Sequence, residues 1–131
     1  MLHIDGAEFS SLEGFYEHIS ARLIPGAEWG RNLNAFNDIL RGGFGTPEHG
    51  FVLCWNNHEL SRQRLGYVET TRQLQRRATR CHPSHESAVR ADLAAALEGE
   101  SPTVFDWLIE IIRDHGPGGA EQEDGVELVL R

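Results

Sequence analysis

The sequence predicts an α/β fold with a three-stranded, mostly parallel sheet. Three short apolar runs have the pattern of strands, at residues 2–4, 51–55 and 126–130. Between them, apolar residues recur every three or four positions, which is the spacing of a buried helical face. Strands separated by helices pair in parallel, because the helical crossover returns the chain to the same end of the sheet. The 131 residues are expected to form a single domain over 1–131.

The first half of the chain is predicted to run strand, helix, helix, strand. After the strand at 2–4, a serine at position 10 or 11 can cap a helix that ends at Pro25. Asn32 can cap a second helix, which ends at Gly42 and Gly43, and the glycine-rich segment 42–50 is expected to be a mobile loop. The apolar run 51–55 is typical of a central strand covered on both faces. The predicted inward residues of the two helices are Leu12, Phe15, Ile19, Leu23, Leu33, Phe36, Ile39 and Leu40.

The second half is predicted to be three helices and a last strand. One helix spans residues 58–80, and Ser84 or Ser87 starts another that runs through Leu97. Together they give an arginine-rich helical section at about 65–100. Ser101 followed by Pro102 is predicted to begin the final helix, since proline suits the first helical position. The glycine-rich segment 116–119 ends that helix, and the last strand follows at 126–130.

Charge is distributed unevenly along the chain and predicts a cationic partner. All 12 basic residues are arginines, against 20 acidic residues, and the net charge is -8. Seven arginines lie between residues 62 and 90 with only two acids, so this segment carries +5 and the rest of the chain -13. An acidic surface attracts a basic protein at long range, whereas nucleic acid and anionic membranes need a cationic footprint. A protein partner is therefore expected, with no direct binding of nucleic acid or membrane.

The expected location is the cytoplasm, and the free protein is expected to be a monomer. Apolar stretches are far shorter than the ~20 residues of a membrane-crossing helix. The first residues lack the basic, apolar and small-residue regions of a secretion signal. The thiols are then expected to be reduced, with Cys54 as a small core residue.

Alternative chemistries have weaker support in the sequence. Cys81, His82 and His85 are zinc-ligand types, but a structural zinc site normally has four ligands, so no metal or other cofactor is expected. An RNA-binding face on the arginine-rich section remains an alternative. A small hydrolase is another, although no nucleophile or metal-binding pattern surrounds its candidate histidines. Those histidines are His18, His58 and His115.

Helical spacing in the second helix points to one exposed surface. If the apolar residues face the core, then Asn34, Asn37, Asp38 and Arg41 lie on the outer side. Asp38 falls in the last turn, where the helix dipole makes an anion unfavourable by a few tenths to ~1 kcal/mol. A helix selected for stability alone would avoid a carboxylate there, so Asp38 is a candidate functional residue.

Residues 29–40, which read WGRNLNAFNDIL, carry a family resemblance. The segment resembles the hallmark of the barstar family of intracellular ribonuclease inhibitors, aromatic-Gly-x-Asn-Leu-Asp-Ala-apolar-x-Asp-x-Leu. The likeness extends to the first and second strands and to the final helix and strand. Asn34 stands where the family usually has an acid, and Asn37 where tryptophan is common. The section at about 65–100 is longer than in small family members and is interpreted as a helical insertion.

The resemblance implies a barstar-like fold and a non-enzymatic inhibitor or immunity protein. It would block the active site of a basic ribonuclease or related toxin with its second helix and the adjacent loop. Asp38 would replace a substrate phosphate and pair with catalytic arginines and a histidine, and either Glu110 or Asp114 would correspond to a rim glutamate. The arginine-rich segment 62–90 is expected to face away from the partner. The full set of expected partner-binding residues is Trp29, Asn32, Asn34, Asn37, Asp38, Phe44, Glu110 and Asp114.

Because Asn34 and Asn37 remove a charge and an aromatic group from the expected footprint, a second interpretation stays open. In it, the chain is a non-enzymatic binding or regulatory module of the same fold, and its target is not a ribonuclease.

Overall fold

Three parallel strands form one sheet: β1 (Leu2–Asp5), β2 (Phe51–Asn56) and β3 (Val126–Leu130). Their spatial order is β1-β2-β3, so β2 is the central strand and pairs with both neighbours. This computed structural model describes residues 1–42, 44–47 and 49–131. The predicted α/β class, the three strands and their parallel arrangement are confirmed.

Helices connect the strands and cover one face of the sheet. Two lie between β1 and β2, namely α1 (Leu12–Arg22) and α2 (Leu33–Ile39). Between β2 and β3, the chain forms α3 (His58–Arg64), α4 (Tyr67–Arg80), α5 (Glu86–Leu97) and α6 (Val104–Asp114). No helix of the described residues is long and apolar enough to span a bilayer.

The helix beginnings confirm two predicted caps and correct a third. Ser11 Oγ accepts a hydrogen bond from the N–H of Gly14 at the start of α1, and Asn32 caps α2. The final helix is capped by Thr103, not by Ser101. Thr103 Oγ1 accepts from the N–H of Asp106, whose carboxylate accepts from the N–H of Thr103. Three residues after Ser101 the chain has an apolar valine, whereas three residues after Thr103 it has Asp106, which can return the hydrogen bond. The final helix therefore begins after Thr103 and not after Ser101.

The single helix predicted over residues 58–80 is wrong, because the structure divides it into α3 and α4. The break at Leu65 and Gly66 frees the carbonyl of Leu65, which accepts a hydrogen bond from the N–H of Phe105 at 3.1 Å. Further on, α5 begins at Glu86 and not at Ser84 or Ser87, since Pro83–His85 forms a 3₁₀ turn capped by His82.

The core lies between the sheet and the helices, and the second face of the sheet is largely open. Trp55 is fully buried, stacks on Phe15 with ring centroids 5.6 Å apart, and donates from Nε1 to Ser61 Oγ at 2.9 Å. Cys54 is buried as predicted. On the same face as Cys54, however, Val52 is only half-buried beside exposed Glu127. The expectation that β2 is covered on both faces is therefore wrong for this face.

The fold of the loop after α2 is described only in part. Gly43, predicted as part of the helix stop, lies outside the described residues, as does Glu48. Thr46 is buried and donates from Oγ1 to the carbonyl of Ile39 at 2.9 Å, so that this loop is attached to the end of α2. The predicted mobility of segment 42–50 stays a prediction.

Buried polar side chains attach α4 to the helices on either side. The carboxylate of Glu69 accepts from the N–H of Leu12 at 2.7 Å, at the start of α1, and from Nε of Arg72 at 2.6 Å. The neighbouring Thr70 Oγ1 accepts from the N–H of Val104 at 2.8 Å, at the start of α6. Burial alone would raise the pKa of Glu69, but these donors outweigh it and the pKa is lowered.

Replacing Glu69 with glutamine should reduce the acid sensitivity of the protein. A carboxyl group with a lowered pKa in the folded state stabilises the fold above its usual value of 4.5, and this contribution is lost as the pH falls below that value. Glu69→Gln should lower the free energy of unfolding near neutral pH by about 1–3 kcal/mol. Urea denaturation between pH 7 and pH 3 measures both effects.

The matched control is Glu59→Gln, which removes an exposed carboxylate from α3. It should leave both the stability and its pH dependence close to those of the unsubstituted protein. If Glu69→Gln retained the full loss of stability on acidification, the assigned role of this carboxylate would be wrong.

Candidate partner-binding site

Helix α2 places a carboxylate on its solvent-facing side near its C-terminal end. Phe36 and Ile39 are fully buried against the core, whereas Asn34 and Asp38 are exposed. The side chain of Asp38 is 54% accessible, and only its Oδ1 has a hydrogen-bond partner among the described residues. The arrangement matches the exposed surface that the helical spacing predicted for Asn34 and Asp38.

Asp38 belongs to a chain of charges that joins α2 to the loop before β3. Its Oδ1 lies 3.1 Å from Nη1 of Arg41, and Arg41 donates from Nε and Nη2 to the two oxygens of Glu121 at 2.8 and 2.6 Å. The hydrogen bonds from Arg41 hold the pKa of Glu121 below its usual value. Oδ1 of Asp38 is shared with Arg41, whereas Oδ2 has no hydrogen-bond partner among the described residues and can accept further donors.

Asn37 points inward, which corrects the expectation that it lies on the exposed side. Its Oδ1 lies 2.6 Å from Nε2 of His115, a fully buried residue at the end of α6. The other ring nitrogen, Nδ1, lies 2.6 Å from Oδ2 of Asp124. Neither Asp124 nor the pairing of Asn37 with His115 was predicted from the sequence, where the only signal was a histidine directly after the last apolar helical face.

Trp29 and Asn32 both have contacts within the chain. Trp29 is half-buried, donates from Nε1 to Ser20 Oγ at 2.7 Å and packs edge-to-face on Tyr16. Asn32 Oδ1 accepts from the N–H of Ala35 at 2.8 Å as the cap of α2. Trp29 therefore attaches the segment before α2 to α1, and Asn32 stabilises the first turn of α2. Contact of either residue with a partner stays a prediction.

The remaining predicted residues lie at the surface, on two other elements. Phe44 is 40% exposed in the loop after α2. Glu110 and Asp114 are exposed on α6 and line a shallow cavity of about 390 Å³ together with Arg113. Contact of Phe44, Glu110 and Asp114 with a partner stays a prediction.

Three arginines of α4 lie beside the first turn of α2, and for these three the expectation that segment 62–90 faces away from the predicted partner-binding residues is wrong. A groove of about 840 Å³ runs between α1, α4 and the first turn of α2. Its lining includes Arg76, Arg77 and Arg80 of α4 together with Asn32 and Asn34 of α2. A hydrogen bond from the N–H of Leu12 to buried Glu69 attaches α4 to α1 beside this groove.

One group among the described residues has metal-ligand types close together: His115, Glu121 and Asp124. Both oxygens of Glu121 already accept hydrogen bonds from Arg41, so a metal ion would have to displace a guanidinium. The sequence also offered Cys81, His82 and His85 as zinc-ligand types. In the structure, His82 caps a 3₁₀ turn through Nδ1, and its ring centroid lies 6.2 Å from that of His85.

Fold and surface together define the class of the protein: a parallel α/β protein that presents an acidic residue at the end of an exposed helix. The sequence model of the Barstar family, described as Barstar (barnase inhibitor), matches residues 1–92, which is more than half of the chain. The chain belongs to this family. No curated protein matches it. The match runs through α4 and into α5, and the interpretation of residues 65–100 as an insertion in a single domain stays a prediction.

Replacing Asn37 with alanine should destabilise the fold, since it leaves Nε2 of buried His115 without its partner. The expected loss is about 1–3 kcal/mol in the free energy of unfolding, the usual cost of an unsatisfied buried polar group. Asn34→Ala is the matched control, because it removes the same amide from the exposed side of the same helix. Urea denaturation of the two variants compares them, and equal stabilities would contradict the inward role of Asn37.

Proposed function

We propose that this chain inhibits a basic ribonuclease, or a related toxin, by inserting Asp38 and the exposed side of α2 into the active-site cleft. The observation that carries the proposal is the exposed carboxylate of Asp38 on α2, in a chain that belongs to a family of ribonuclease inhibitors. In this proposal the protein acts by binding alone, requires no cofactor and is located in the cytoplasm with the enzyme it restrains.

A carboxylate is chemically suited to occupy the place of a phosphate in such a cleft. Both groups are anionic and present oxygens that accept charge-assisted hydrogen bonds, and arginine can bind either with two parallel N–H donors. A ribonuclease must hold a phosphate, so it offers cationic donors at that point. Oδ2 of Asp38 is available to them, while Oδ1 is shared with Arg41.

Arg41 is proposed to position this carboxylate before the partner arrives. Its bonds to Glu121 fix the guanidinium, and its remaining nitrogen restrains the side chain of Asp38 from one side. A pre-positioned side chain loses less conformational freedom on binding, which favours affinity. The surrounding partner contacts are proposed at Trp29, Asn32, Asn34, Phe44 and one of Glu110 and Asp114.

A non-ribonuclease target is the second candidate, and the orientation of Asn37 favours it. With Asn37 turned toward His115 and Asn34 uncharged, Asp38 is the one acidic side chain on α2. A surface of this kind also suits a cationic target that is not a nuclease. Assays of RNA cleavage separate the two candidates, since both predict binding and only the first predicts inhibition.

Association with the basic partner should slow as the salt concentration rises. The acidic body of the chain attracts a cation at long range, and at 0.15 M salt this attraction is screened beyond roughly 8 Å. The dissociation rate should change less, because it depends on short-range contacts. Stopped-flow measurements from low to moderate ionic strength test this. An association rate that stays constant across the series would exclude electrostatic steering.

Asp38→Ala should greatly weaken inhibition while leaving the fold intact. Truncating one partner of a buried interfacial charge pair costs about 2–5 kcal/mol or more, and complexes of this family are among those from which that range comes. In the free protein, an exposed ion pair worth ~0.2–1 kcal/mol is lost. This loss is offset because the unfavourable interaction of Asp38 with the helix dipole is removed and because alanine has a higher helix propensity. The loss of binding free energy is measured by the inhibition of barnase and other small basic microbial ribonucleases in RNA cleavage assays. The change in the free energy of unfolding is measured by urea denaturation.

Glu98→Ala is the matched control, because it also removes one exposed acid from a helix end but lies away from α2. It should inhibit as the unsubstituted protein does. The proposal fails if the unsubstituted chain inhibits no ribonuclease in the panel. It also fails if Asp38→Ala, when folded, inhibits as well as the control.

A further inference from the structure

The groove between α1, α4 and α2 has a volume of about 840 Å³, and its charge is opposite to that of the chain as a whole. Four arginines line it, Arg31 from the turn before α2 and three from α4, against the two glutamates Glu13 and Glu17. The chain carries a net charge of -8 and this groove is cationic. Such a local reversal of sign indicates an anionic ligand.

The positive charge of the groove is only partly used within the fold. Glu13 is already saturated by donors from α4: Arg72 at 2.8 Å, Gln73 at 2.6 Å, and Arg76. Arg77 lies over the ring of Trp107, with 5.2 Å to the centroid. By contrast, Arg31 and Arg80 have no ion-pair partner among the residues that the structure describes. Their guanidinium groups are therefore the ones available to a ligand.

Arg31 reaches the groove through a costly backbone conformation. Its φ is 49°, in the left-handed region that non-glycine residues rarely adopt. Glycine or asparagine would occupy this position with less strain. An arginine held there, beside the cap of α2, is consistent with a use for its guanidinium that stability alone does not supply.

We infer that this groove binds an acidic segment of the protein that α2 recognises, with Arg31 and Arg80 pairing with its carboxylates. The identity of that protein rests on the proposed function, whereas the recognition of acidic side chains does not. Asn32 and Asn34 belong both to the groove and to α2, so a protein seated on α2 continues directly into the groove. The partner then has two recognisable features, a basic cleft and an acidic segment next to that cleft.

An acidic peptide fits the groove better than RNA does. Proteins that bind single-stranded RNA offer exposed aromatic rings for base stacking, and the one aromatic residue lining this groove, Tyr16, is buried. Glu17 is exposed in the lining and would repel a phosphate backbone that carries a charge at every nucleotide. A peptide can instead present neutral residues or N–H donors at that point.

Binding of a fluorescently labelled peptide in which glutamate alternates with serine, Glu-Ser-Glu-Ser-Glu-Ser, at low salt tests the inference with the whole chain. The double variant Arg31→Asn with Arg80→Gln removes both available guanidinium groups, and asparagine suits the left-handed backbone at position 31. It should weaken peptide binding by about tenfold, the size expected for two exposed ion pairs. The matched control, Arg90→Gln with Arg131→Gln, removes the same charge elsewhere and should bind as the unsubstituted chain does.

Asp38→Ala should bind the peptide unchanged, so this experiment does not depend on inhibition of a ribonuclease. Urea denaturation of the Arg31 and Arg80 variant should show undiminished stability, which separates lost contacts from lost fold. The inference is overturned if the unsubstituted chain does not bind the glutamate-serine peptide at low salt, or if both double variants weaken peptide binding equally. It is also overturned if hexauridylate binds the groove more tightly than the peptide, because the site would then be one for nucleic acid.

Discussion

The contact between Asn37 and buried His115 is the constraint on which the proposed binding surface depends. Helix α2 has only seven residues, so its own hydrogen bonds do little to fix its orientation. The imidazole joins its last turn to α6, and Asp124 holds the opposite ring nitrogen. Thr46 attaches the following loop to the end of the same helix. The position of Asp38 at the surface follows from these buried polar contacts as well as from the apolar core.

Two surfaces of opposite charge meet at α2. The proposed binding surface is therefore acidic at one end and cationic at the other. At the C-terminal end, Asp38 and Arg41 are continuous with the acidic loop that contains Glu121. At the N-terminal end, the turn at Arg31 opens into the groove lined by the arginines of α4. Opposite charges arranged along one surface select orientation and partner more than they add raw affinity. A partner of uniform positive charge would complement only one half of this surface.

The sequence predicted what depends on local periodicity and could not predict what depends on long-range polar contacts. Apolar spacing identified the strands, the fold class and the buried faces of α1 and α2. The same spacing did not predict the break between α3 and α4 at Leu65. The carbonyl freed there accepts a hydrogen bond from the N–H of Phe105, forty residues later. Likewise, Asn37 falls on the outer side of α2 by helical spacing, and only the approach of His115 turns it inward. The position of the α4 arginines beside α2 was missed for the same reason, since the hydrogen bond that attaches α4 to α1 joins Glu69 to Leu12, which lies 57 residues earlier.

A helix that fills the active-site cleft must compete with RNA, so the mode of inhibition shows whether α2 occupies that cleft. Initial rates of cleavage of a short RNA by an inhibited ribonuclease, such as barnase, are measured over a range of substrate and inhibitor concentrations. Competitive inhibition is expected, in which the apparent inhibition constant rises in proportion to the substrate concentration once this exceeds KM. An apparent inhibition constant that does not change with substrate concentration would place the chain outside the cleft and exclude the proposed binding mode.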